Sequence, residues 1–493
     1  MANGLALNDI QGNVLAAFNK DHQTFLLLGL PPTPAAAGGW LQTIVSEVAT
    51  TEEVTAFNQL FKALNDRRGP ETGVIEATWM NVAFTSAGLA ALGATPAEIA
   101  QFPDDFRQGL AQRAAGLGHV GPSDPQHWLP IFQDPNLHAV MIVASDSADD
   151  LHRAVLRYLD GMADHDVHLL GKFEGEARCD QPGFEHFGFK DGVSQPAVDG
   201  YTTNPQPGQD VIQPGEFIVG CPAEPAPPTP PPAPTPNQYG GTPPAPAPGQ
   251  PVPTGPTWAV NGSYLVFERL AQNVKQFNDD TSLIALDNKV AAALAQAKLL
   301  GRHQSGCPME KIRSLPNIDP TTVDVGLTDP DVLTDAHVND FVYSDDPDGQ
   351  HVARAAHIRK TNPRDEQTPG GGAADTLRHR LLRRGIAFGA SFEDGAPVGS
   401  PHHADAERGL LFAAYQASIV EHFEVVQGQW ANGANFPTAN DGGDPILSEN
   451  GAKPHVPGLT PDPLALNAWV TMTGGMYLFS PSITALGHLA AGA

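Results

Sequence analysis

Cysteine is scarce in this 493-residue chain: Cys179, Cys221 and Cys307 are odd in number and far apart. They cannot build a disulfide framework or a cysteine-rich zinc site, and they suit a reducing compartment. Positive charge is scarce too, with 28 Lys and Arg against 55 Asp and Glu, a formal net charge of −27. A surface that acidic repels phosphate backbones and anionic lipid, so nucleic acid and membrane surfaces are poor partners. No segment approaches the roughly 18 consecutive apolar residues of a membrane span. The start, MANGLALNDIQGN, has no basic stretch, no apolar stretch and no twin arginine, so a cytoplasmic location is expected. Common catalytic signatures are also missing: no GxxxxGK(S/T), HExxH, GxSxG, GxGxxG after a strand or paired CxxC occurs.

What is present begins with glycine and proline, 50 and 47 residues, which imply long loops. The length exceeds one compact core and suggests two domains, 1–205 and 206–493. In the first, apolar runs at 24–29, 74–84, 138–144 and 167–173 predict strands. Between them, Val54, Phe57, Leu60, Phe61 and Leu64 recur at helical spacing. A second helix starts at the SADD stretch with acidic residues in its first turn, then shows Leu151, Val155, Tyr158 and Leu159 on one face. Strand, helices, strand, strand, helix, strand is the order of a ferredoxin-like unit. In the second, 215–220 and 259–267 look like strands, 283–299 like one helix, and 409–415, 417–430 and 474–480 like strand, helix and strand. The economical reading is α+β, with two similar halves. Residues 222–256 hold 16 prolines, a composition that favours polyproline II and predicts an exposed, semi-rigid insertion.

Two acidic and histidine-rich clusters tempt as metal sites: Asp164, His165, Asp166 and His168, and His402, His403 and Asp405. Alternation along a strand start spoils convergence in the first, and the second lies in a loop. Three other segments are denser. HFGFKDGVSQPAVDG (186–200) sets Asp191 among glycines, with Phe187 and Phe189 beside it. Glycines let backbone approach something flat and large, and the aromatics supply a dry wall. ARAAHIRKTNPRDE (353–366) surrounds His357 with Arg354, Arg359, Lys360 and Arg364, the most basic patch of an acidic chain. RHRLLRRGIAFG (378–389) carries Arg378, Arg380, Arg383 and Arg384 into an apolar run. Taken singly, these are also an Asp-Gly turn, a solvated basic helix end and surface arginines.

Taken together, they resemble the dye-decolourising (DyP-type) haem peroxidase family. GFKDG at 188–192 matches its GxxDG signature, AHIRKTNPR at 356–364 its haem-ligating segment, and RRGIAFG at 383–389 the segment of its distal arginine. Supporting matches run from DIQGNVL through GEFIVG and GLLFAAYQASI to YLFSPSITAL. The resemblance implies a dimeric α+β barrel-type fold of two ferredoxin-like halves. It implies one haem b per chain, held chiefly in the second half with His357 as iron ligand. A carboxylate should accept from the second nitrogen of His357, with Glu424 as candidate and Glu421 as runner-up. Asp191 and Arg383 would be catalytic, Phe189 and Gly192 would lie against the cofactor, and Leu410 and Phe412 would line the distal cavity. Arg359 would partner a propionate, on charge grounds.

The implied reaction uses hydrogen peroxide to oxidise dyes, phenols or other small electron donors through an oxyferryl intermediate. Asp191 would move a proton between the peroxide oxygens, and Arg383 would stabilise developing charge. An aspartate base stays ionised far below neutrality, so activity with artificial donors should be greatest in acid. Phe388 stands where some fungal relatives have a tyrosine able to carry a radical, which leaves Tyr415 and Trp430 as substitutes or as ordinary core. The competing reading is a haem-handling protein with incidental turnover. It needs His357 but not Asp191 and Arg383 together. A third is an acidic scaffold presenting a proline-rich ligand. Oligomeric state, reductant and Mn(II) oxidation stay open.

Overall fold

The computed structural model describes residues 4–68, 75–225, 255–312, 338–449 and 453–492. The apolar runs of the first half form β1 (His22–Gly29), β2 (Thr78–Phe84), β3 (Ala139–Ser145) and β4 (His168–Glu176). β1 and β3 are buried along almost their whole length, which is why they read as continuous apolar runs rather than as alternation. All pairings are antiparallel, in the order β4-β1-β3-β2. The helix Thr51–Arg68 begins with a reciprocal cap, in which Glu53 accepts from Thr50 N–H and Thr50 Oγ1 accepts from Glu53 N–H. The helix Ala148–Ala163 is capped by Ser147 and buries Leu151, Val155, Tyr158 and Met162 against the sheet.

A small parallel pair, β5 (Ala197–Val198) with β6 (Val211–Ile212), straddles residue 205. The second half then contributes β7 (Ser263–Gln272), β8 (Leu382–Arg383), β9 (Ile386–Phe388), β10 (Gly409–Gln416) and β11 (Val470–Ser480). Their order, β11-β7-β10-β8 with β9 also on β10, repeats that of the first half. The halves are two ferredoxin-like units in one nine-stranded sheet, joined where Phe479 of β11 pairs with Phe84 of β2. At the opposite ends β4 lies against β9. A Cβ on Gly175 would stand 2.3 Å from Ile386 Cγ2, so only glycine permits that approach. Inside, Phe25 of β1 meets Phe267 of β7 with ring centroids 5.1 Å apart. A barrel-like sheet closing on itself gives one core shared by both halves.

Four expectations change. Residues 215–220 are a 3-10 turn and buried irregular chain, because Gly215 must pass so close to Cys221 that a Cβ would stand 2.4 Å from its carbonyl. The helix expected over 283–299 is two, Val274–Asn288 and Ala292–Leu300, separated by Lys289 in the left-handed region (φ 55°). Residues Val420–Ala431 wind as a π-helix. The proline-rich insertion lies mostly outside the described residues, but 222–225 are integral: Ala223 is buried and Gly215 N–H donates to Pro222 O. No helix among the described residues is long and apolar enough to cross a membrane. Nor does any group of three or more His, Cys, Asp or Glu among them suit a metal ion, so the clusters at 164–168 and 402–405 do not converge.

Candidate active site

One cavity gathers most of the singled-out residues: Phe189, Asp191, Gly192, His357, Arg383, Leu410 and Phe412 all line it. His357 opens a single-turn helix, His357–Thr361. Its Nδ1 lies 2.9 Å from Asp444 Oδ2. Asp444 is fully buried, and its other oxygen accepts the backbone N–H groups of Ile446 (2.7 Å) and Leu447 (3.0 Å). A carboxylate so held is an acceptor, so Nδ1 donates to it and Nε2 keeps its lone pair.

Asp444 therefore occupies the role expected of Glu424. Glu424 turns elsewhere: both its oxygens accept from the Arg113 guanidinium, and Oε1 also accepts from Tyr477 Oη at 3.0 Å. The resemblance offers Glu424 only as an acid of the right segment, and that segment, the π-helix Val420–Ala431, carries it to Arg113 and Tyr477 instead. Glu421 does not serve either; its carboxylate lies 3.7 Å from Arg378. Arg359 is the second correction. It is fully buried away from the cavity, tied to Glu366 (2.8 Å), Asp346 and the carbonyl of Val352.

Elsewhere on the cavity wall, Arg383 Nη1 stands 3.7 Å from Asp191 Oδ1, and their side chains are 35% and 41% exposed. Gly192, at φ 71°, turns its N–H onto Asp191 Oδ1 (2.6 Å). Arg383 follows β10 through its pairing with Ala414, and its backbone N–H donates to Gln195 Oε1. Phe187 and Phe189 pack on Phe277 at 4.4 and 6.5 Å. Leu410 and Phe412, alternate on β10, do face the cavity together. Phe388 is buried beneath the Arg269 guanidinium, 4.3 Å from its ring. Tyr415 and Trp430 are buried core.

The cavity is rich in guanidinium groups: Arg302, Arg364 and Arg380 line it besides Arg383. Burial, with Arg364 and Arg383 nearby, pulls the Arg302 guanidinium down to about 9. Burial pulls that of Arg380 down to about 10, against the attraction of Asp210. Such crowded, desolvated cations favour an anionic ligand. Arg364 and Arg380 fell in the basic patches of the sequence; Arg302, in LGRHQ, carried no such signal. Also missed was Glu268, which lines the cavity from β7. Behind it His119 is buried between Glu268 (3.4 Å) and Glu449 (3.3 Å). Burial works against the charge of His119, yet the two carboxylates hold its imidazolium up to about 9.

Known proteins resemble the chain over nearly its whole length. Residues 9–179 match the family model described as a DyP dimeric alpha+beta barrel domain, and 249–436 match that of the C-terminal part of Dyp-type peroxidases. Peroxidase 2 of Mycetinis scorodonius is 31% identical over 503 residues, covering 98% of this chain and 87% of the relative. The dye-decolorizing peroxidase AauDyP1 of Auricularia auricula-judae is 31% identical over 515 residues, covering 99% and 87%. Among solved structures, an ancestral D-type dye decolorizing peroxidase superposes with a TM-score of 0.79 at 28% identity, covering 98% of each chain.

Proposed function

Because the chain belongs to the dye-decolourising peroxidase family, we propose that its cavity binds one haem b through His357, with Asp191 and Arg383 handling peroxide. The chain is a peroxidase that uses hydrogen peroxide to oxidise small electron donors. The donor set suits a haem: a histidine with Nε2 uncommitted, apolar walls from Phe189, Leu410 and Phe412, and guanidinium groups in want of anions. Arg302, Arg364 and Arg380, rather than Arg359, are the candidates to meet propionates. Haem supplies the redox chemistry; the protein supplies ligation, proton handling and access.

Asp191 Oδ1 is occupied by the Gly192 N–H and faces Arg383. That leaves Oδ2 to take a proton from one peroxide oxygen and return it to the other. The Arg383 guanidinium stabilises the negative charge that develops as the oxygens part. On the other side, Asp444 holds the Nδ1 proton of His357, fixing its tautomer and making Nε2 a stronger donor. A haem-handling role requires no Asp191–Arg383 pair, and that pairing within the His357 cavity is the observation that carries the peroxidase assignment.

The test is the absorption spectrum of the purified protein and its response to peroxide. A Soret band is expected, and His357→Ala should lose it; full occupancy with an unchanged spectrum in that variant refutes the ligand assignment. Asp191→Ala and Arg383→Leu should keep the band but slow the reaction with peroxide by about 10²- to 10⁴-fold. If neither variant is slowed, the haem-handling role takes its place.

A further inference from the structure

Tyr477 is a buried group that the peroxide chemistry leaves unused. It is 1% exposed, and its hydroxyl donates to Glu424 Oε1 at 3.0 Å. Its ring meets Phe423 edge-on with centroids 6.2 Å apart. Phe423 lines the cavity and stands 6.2 Å from Phe412, which lines it too. A tyrosine is thus one ring removed from the cavity, with a carboxylate on its proton.

Four other tyrosines, Tyr343, Tyr415, Tyr201 and Tyr158, differ from it. Tyr343 lines the cavity, but the Arg359 guanidinium lies 4.6 Å over its ring and its hydroxyl has no hydrogen-bond partner. Its proton has no base to go to, and the cations oppose loss of an electron. Tyr415 is buried beside the Arg384 charge. The Tyr201 hydroxyl meets the Thr55 hydroxyl at 3.0 Å. Tyr158 donates to Glu47, but it sits on the helix Ala148–Ala163 with Arg157 over its ring.

We propose that Tyr477 is an internal electron donor to the peroxide-oxidised enzyme, releasing one electron towards the cavity and its phenolic proton to Glu424. The phenolic O–H bond breaks and a carboxyl O–H bond forms on Glu424. The oxidised cofactor is reduced by one equivalent, and a neutral phenoxyl radical stays at Tyr477. Without the proton transfer, oxidation would leave a phenol radical cation, a far stronger acid than the carboxyl group of Glu424 that already accepts its O–H, so the proton moves with the electron. The surroundings suit the exchange. Glu424 and Asp105 flank the single cation of Arg113, so with both acids ionised the cluster is net negative before the electron leaves and neutral after. Burial and the Glu424 charge hold the Tyr477 phenol far above its ordinary range, so in the resting protein it keeps its proton until oxidised.

This inference rests on the peroxidase reading, and one experiment separates the two. The haem-loaded enzyme is mixed with peroxide without donor, freeze-quenched and examined by electron paramagnetic resonance. The wild type should give a radical signal that narrows with ring-deuterated tyrosine and appears more slowly in D₂O. Tyr477→Phe should lose most of it, with its resting spectrum and rate of reaction with peroxide unchanged. No optical response of the wild type to peroxide would overturn the peroxidase reading itself. A normal response with the tyrosyl signal retained in Tyr477→Phe overturns the Tyr477 assignment. So does a wild-type signal indifferent to tyrosine deuteration, a test that needs no variant.

Discussion

His357 depends on a carboxylate 87 positions away in the chain. Asp444 is itself immobilised by two backbone N–H groups, so it fixes the imidazole rather than following it. Asp444→Asn keeps an oxygen acceptor but removes the negative charge, so Nε2 becomes a poorer donor. The variant should bind haem more weakly, by about 10- to 100-fold. Its reduction potential should rise, read by spectroelectrochemical titration. Glu424→Gln, by contrast, should leave that potential nearly unchanged, because its partners are Arg113 and Tyr477.

A five-residue helix such as His357–Thr361 has no stability of its own, since nucleation outweighs so few hydrogen bonds. Its basic residues hold it in place. Lys360 Nζ donates to the carbonyls of Gly433 (2.6 Å), Phe436 (2.6 Å) and Gly442 (2.9 Å), and Arg359 is clamped by Glu366 and Asp346. The most basic patch of the sequence is thus, at Arg359 and Lys360, a set of tethers. Burial pulls the Lys360 amine down to about 8, against the attraction of Asp444 and Asp441. Lys360→Met leaves three carbonyls without their donor, each costing about 1–3 kcal/mol where water cannot enter. A lower thermal midpoint and faster haem loss to apomyoglobin are expected, with the peroxide step of the haem-loaded fraction preserved.

Behind the cavity wall, side chains of the first half pair with carboxylates of the second. Arg113 binds Glu424, and His119 sits between Glu268 and Glu449. Asn432 organises that crossing by donating to Leu117 O and accepting from Glu449 N–H. The folded value of about 9 for His119 lies above its ordinary 6.5. The native state therefore binds the proton more tightly, and the stabilisation is full below pH 6.5 and is lost as pH rises through 9. The thermal midpoint should fall over that window in the wild type and fall less in His119→Gln; parallel curves would refute the linkage. The proline-rich insertion is a separate matter. Replacing 226–254 with a short Gly/Ser linker should leave haem binding intact, whereas a deletion begun at 222 should lower stability because Pro222 and Ala223 are packed. Calorimetry of the two deletions compares them directly.

The sequence by itself determined the two ferredoxin-like halves and the three segments of the site. Strand runs, the Ser147 cap and motifs such as GFKDG are written in residues a few positions apart, and local geometry follows from local pattern. The resemblance carried by those segments singled out Asp191, Arg383, His357, Leu410 and Phe412, and all five line one cavity. The partners were not legible. Asp444 in place of Glu424, the burial of Arg359 and the His119 pair of carboxylates depend on where the chain returns. Only closure of the nine-stranded sheet and the π-helical winding of Val420–Ala431 bring those groups into reach. Ionic partners are chosen by proximity in space within a desolvated interior, where every charge must find a counter-charge, and no spacing along the chain encodes that choice.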